Sequence, residues 1–150
     1  MSTDIHTRIA IYNPDKNIWE EIKLYTHSED FPIARFFSGK NYTLFDILDG
    51  SGGNLDPLPI RLESLDPSFK EEIKREMEAI GTYGFHEVNL ADLKLFLAKN
   101  PKVEDPNSER FLLIENPVKR FIDLAETYVY FANYEWTHPS EIKILYWFDC

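Results

Sequence analysis

The stretch Ile142-Lys143-Ile144-Leu145-Tyr146-Trp147-Phe148-Asp149 constrains this chain more than any other. It alternates as a strand, yet Leu145 and Trp147 make its second face apolar as well. A strand with two apolar faces has to be covered on both sides, which predicts a central strand.

Its neighbours are predicted at the other end of the chain. Ile9 and Ile11 alternate with Arg8, Ala10 and Tyr12, and Asn13-Pro14-Asp15-Lys16-Asn17 supplies turn chemistry. Ile18, Ile22 and Leu24 then alternate with Trp19, Glu21 and Lys23, so the segment reads as a hairpin with its isoleucines on one buried face. Hairpin and terminal strand are expected to share a small, largely antiparallel sheet covered by three to four helices. The fold class is α+β. The 150 residues fit a single domain, residues 1–150, with no internal repeat and no Gly-, Ser- or Pro-rich linker.

The helices are predicted from spacing and caps. Leu44, Ile47 and Leu48 follow i, i+3, i+4 spacing within Asn41–Leu48. Asp66 caps a second helix with Pro67 at its first position and Phe69, Ile73 and Met77 on one face, and Gly81 supplies a left-handed residue after it. Asn89 caps a third, with Leu90, Leu93, Phe96 and Leu97 facing inward and Asn100-Pro101 ending it. Asn116-Pro117 opens a longer helix striped by Val118, Phe121, Ile122, Ala125, Tyr128, Val129 and Ala132. Phe31–Phe37, Thr82–His86 and Lys102–Arg110 read as loops or turns, the last of them exposed.

Charge narrows the function. Lys and Arg total 16 against 26 Asp and Glu, a formal charge of −10. Nucleic-acid binders gain affinity by replacing counterions with clustered cations, so direct nucleic-acid binding is not expected. No apolar run approaches the ~18 residues of a membrane span, and the first residues lack the apolar core of a signal peptide. The single cysteine, Cys150, allows no intramolecular disulfide, and a cytoplasmic setting is expected.

Motif tests turn up no catalytic constellation. Asp49-Gly50-Ser51-Gly52-Gly53-Asn54-Leu55-Asp56 lacks the Gly-Lys-Ser/Thr ending of a P-loop, follows a helix rather than a strand, and has Ile60 where a calcium loop needs glutamate. His6, His27, His86 and His138 are scattered, with no pair spaced to share a metal. There is no G-x-S-x-G elbow, and the paired carboxylates Glu20-Glu21, Glu29-Asp30, Glu71-Glu72 and Glu104-Asp105 fall in solvated positions. No cofactor, metal site or catalytic residue is therefore expected. His86 stands out because aromatic residues flank it and the Glu87 carboxylate adjoins it. The aromatic residues from Tyr128 to Phe148 occupy more than one helix face, so some rings are expected at the surface as a recognition patch.

Four segments resemble a family of small proteins encoded by bacteriophages, prophages and bacterial mobile regions. Gly39-Lys40-Asn41-Tyr42-Thr43-Leu44-Phe45-Asp46-Ile47-Leu48 is similar to its G-R-N-Y-x-L-F-x-x-L pattern. Pro59-Ile60 with Leu65–Glu72, Val88–Leu93 and the terminal Ile142–Asp149 follow in the same order. Tyr83–Glu87 stands where the family pattern has an H-S-x-S run, and the glycine-rich turn stands where it has arginine and asparagine. The resemblance implies an α+β fold and a mobile-element accessory role in a bacterial cytoplasm, without implying a reaction.

The leading expectation is a non-catalytic binding protein that engages a protein partner or sequesters a small-molecule ligand, with contacts at Arg35, Lys40, Asn41, Tyr42, His86, Trp147 and Asp149. The alternatives are a small hydrolase or nucleotide-processing enzyme using a loop His86, and an acidic immunity-type or nucleic-acid-mimic inhibitor. Nothing in the sequence fixes an oligomeric state.

Overall fold

The computed structural model of the chain describes residues 3–25, 32–33, 41–51, 55–105, 110, 112–132, 134 and 137–149. In chain order its strands and helices are β1 (Asp4–Asn13), β2 (Ile18–Glu21), β3 (Leu24–Tyr25), β4 (Pro32–Ile33), α1 (Tyr42–Leu48), β5 (Leu58–Pro59), α2 (Pro67–Glu78), β6 (Thr82–Asn89), α3 (Leu90–Lys99), β7 (Lys102–Glu104), β8 (Leu113–Glu115), α4 (Val118–Phe131) and β9 (Ile142–Asp149). Short 3-10 turns cover Leu62–Ser64 and Pro139–Glu141.

One five-stranded antiparallel sheet, ordered β2-β1-β9-β6-β5, carries the fold. β9 lies at its centre, as its two apolar faces require. On one face Ile144, Tyr146 and Phe148 join Ile5, Ile9 and Val88 in a core shared with α1, α3 and α4. On the other, Leu145 and Trp147 meet Ala10 and the Leu65, Phe69 and Ile73 side chains leading into and along α2. The result is an α+β architecture of three layers, a sheet between two helical covers. No helix among the described residues is long and apolar enough to cross a membrane.

The helix signals act as local chemistry dictates. Asn41, Asp66 and Asn89 each accept a backbone N–H of the first turn at the starts of α1, α2 and α3. Buried Asn116 joins two helices: its Nδ2 donates to the Asn100 carbonyl after α3 at 2.7 Å, and its Oδ1 accepts from the Val118 amide of α4 at 3.0 Å.

Two segments differ from the loops expected of them. Thr82–His86 is part of β6, and its Tyr-Gly-Phe sequence is a bulge in a strand rather than a turn. Gly84 has φ +69°, and a Cβ there would stand 2.9 Å from Phe148 Cδ2, so glycine is required on both counts. The extra residue sends Tyr83 toward Phe148 and Phe85 toward Trp147 on the opposite face. Lys102–Glu104 pairs with Leu113–Glu115 as a two-stranded hairpin instead of forming an open loop. Within Phe31–Phe37, only Pro32–Ile33 is described, as β4 paired with β3.

Candidate functional site

β9 carries a lysine in the middle of its apolar run. In register with Ala10 of β1 and Asn89 of β6, Lys143 lies on the α2 side of the sheet, where full exposure to water is denied it. Its Nζ donates to Glu87 Oε2 at 3.0 Å and to Ser64 Oγ at 3.3 Å, and it lies 4.5 Å from the centroid of the Trp19 ring. The two charged side chains are 6% and 8% exposed. Glu87 Oε2 also accepts the Arg61 amide N–H at 3.2 Å, so one carboxylate oxygen holds the 61–64 turn against the sheet. Burial pushes the Lys143 pKa down, against the Glu87 charge that favours the protonated form.

This pair forms the floor of a cleft of about 780 Å³. Leu55, Asp56, Leu58 and Arg61 come from the segment around β5, and Asp92, Leu95, Phe96 and Lys99 come from α3. The volume is that of a small-molecule site, with apolar walls and a few convergent polar groups. A buried ion pair is a weak stabiliser, because desolvating both charges offsets their attraction. A perturbed lysine with a specific partner in a cleft is therefore a candidate for function.

The residues expected to act together do not converge. Arg35 and Lys40 lie outside the described residues. Asn41 caps α1 with its side-chain oxygen. Tyr42 is 51% exposed and sets its ring edge-on to Phe45. His86 is a strand residue rather than a loop histidine: its Nδ1 lies 3.0 Å from the Gly84 carbonyl and its ring tilts over Tyr146. Trp147 is 1% exposed and stacked between His6 and Phe85, so it is core and offers no surface contact. Asp149 is bonded to His6 Nε2 on the same side of the sheet as Trp147, the side opposite His86. Of the C-terminal aromatics, Tyr130, Phe131 and Tyr134 do reach the surface, whereas Tyr128, Tyr146, Trp147 and Phe148 are buried. Among the described residues no group of three or more His, Cys, Asp or Glu side chains is placed to hold a metal ion.

Lys143 escaped the sequence reading, and Glu87 was singled out only as the neighbour of His86. The signal for Lys143 was its position, a charge inside Ile-Lys-Ile-Leu, where a strand buried on both faces cannot leave it solvated. Comparison of the chain with protein-family models, with curated proteins and with solved structures gave no match.

Proposed function

We propose that this chain is a non-catalytic binding protein that holds a small-molecule ligand in the cleft over Glu87 and Lys143. The observation that carries this reading is the buried, cross-strand ion pair at the floor of a cleft large enough for such a ligand. The three described histidines are each engaged elsewhere: His86 with its own strand, His6 with Asp149 and His138 with Ser140. Charges on α2 are interleaved, with Lys70, Lys74 and Arg75 among Glu71, Glu72, Glu76 and Glu78, which favours a bounded cleft over a uniformly acidic mimic of nucleic acid. An accessory role in a mobile element, in a bacterial cytoplasm, is part of the same proposal and rests on the resemblance.

Amide-resolved NMR against a small-fragment library tests the reading. Shifts are expected to concentrate at Arg61, Ser64, Glu87 and Leu95, and to vanish in Leu95→Trp, whose indole fills the cleft from an exposed helix position. Shifts scattered over the surface, or unchanged by Leu95→Trp, would overturn it.

The exposed rings of Tyr130 (56%) and Phe131 (62%) favour a second reading, a protein partner seated at the end of α4. A Tyr130→Ser, Phe131→Ser variant that still binds fragments as the parent does would separate this surface from the cleft. Loss of fragment binding in that variant would move the ligand site to α4.

A further inference from the structure

We propose that the cleft takes a short apolar peptide in its zwitterionic form. This inference rests on the reading of the cleft as a binding site and adds the class of molecule that fits it.

Charge balance is the first ground. The cleft is lined by three cationic residues, Arg61, Lys99 and Lys143, and three anionic ones, Asp56, Glu87 and Asp92, on a chain whose formal charge is −10. A net-neutral lining gives no advantage to a polyanion, which the rest of the molecule repels. Among the described residues, the Asp56, Arg61, Asp92 and Lys99 side chains make no hydrogen bond or ion pair. The cleft thus offers separate charges of both signs, one sign for each end of a zwitterion, and charge-assisted hydrogen bonds are the stronger kind.

The second ground is Glu87. Its Oε2 accepts twice, while its Oε1 accepts no hydrogen bond among the described residues, although the side chain is only 8% exposed. That oxygen is open to the cleft rather than sealed from solvent, so it can accept a donor that a ligand brings there. The donor has to be neutral, because an ammonium here would face Lys143. A peptide N–H meets this condition, and Leu58, Leu95 and Phe96 give apolar surface for the side chains between the two charged ends.

Calorimetric titration with alanyl-leucyl-alanine in four end states tests the proposal: free, N-acetylated, C-amidated and blocked at both ends. The free zwitterion is expected to bind tightest, with about tenfold loss for blocking either end, the weight of one charge-assisted hydrogen bond. In Arg61→Gln the penalty for amidation should shrink while that for acetylation persists. Equal binding of all four forms, or tighter binding of a blocked one, would overturn the peptide class. If none of the four binds while fragments still shift the cleft resonances, the class falls and the binding reading stands. If fragments fail as well, both fall.

Discussion

Glu87 Oε2 and Lys143 Nζ lie 3.0 Å apart on the neighbouring strands β6 and β9, buried between the sheet and the Leu62–Ser64 turn. The two side chains are only 6% and 8% exposed, so either charge left alone would be poorly solvated. That asymmetry gives the first prediction. Glu87→Leu or Lys143→Met alone should cost about 3–5 kcal/mol, because each leaves an uncompensated buried charge. The double variant should be more stable than either single one. Urea unfolding of the four proteins checks this, and single variants no worse than the double would show that the pair is solvated.

The bulge in β6 sets a second expectation. Gly84→Ala should destabilise the protein by roughly 1–3 kcal/mol, because φ is +69° and the new methyl would meet the Phe148 ring at 2.9 Å. Adding Phe148→Leu should recover part of the loss by removing the ring. Thermal unfolding of both variants reads the result, and an unchanged midpoint for Gly84→Ala would mean that the strand accepts a side chain there.

At the start of α2 the Asp66 carboxylate accepts from the Ser68 hydroxyl at 2.6 Å and from the Ser68 amide at 3.2 Å. The Ser68 hydrogen bond holds the Asp66 pKa below its ordinary value of 3.8. Its contribution is therefore complete above that value and is lost as pH falls through the lower, folded-state value. Asp66→Ala should cost about 1 kcal/mol near neutral pH, and Asp66→Asn should keep most of the cap while flattening the acid limb of the stability curve. Stability measured from pH 2 to 7 would contradict this if both variants followed the parent.

The fold was legible where local chemistry and tertiary need agree. Two apolar faces on Ile142–Asp149 marked the centre of the sheet, and Asn41, Asp66 and Asn89 marked three helix starts. The reading failed where they diverge. Tyr83-Gly84-Phe85 has turn composition, but its glycine serves a bulge that only the Phe148 ring explains. The β7–β8 hairpin has only three residues per strand, all exposed except half-buried Val103, which is too short for alternation to register. The cleft draws on Arg61, Glu87 and Lys143, which lie far apart in sequence and are joined by strand register rather than by any motif. Of the expected contacts, Trp147 is buried, for an instructive reason. A large aromatic in a central strand is most useful to the core, and Phe85 and His6 enclose it there.

Crystals soaked with a fragment library provide the most direct test, because a second recess among the described residues competes with the cleft. One is the cleft over Glu87 and Lys143, and the other is a groove of about 350 Å³ beside Tyr130, Tyr134 and Ile142. Fragment density is predicted to collect in the cleft, with polar atoms within hydrogen-bond reach of Glu87 Oε1 and Arg61. Fragments that fill the Tyr130 groove and leave the cleft to solvent would contradict the account.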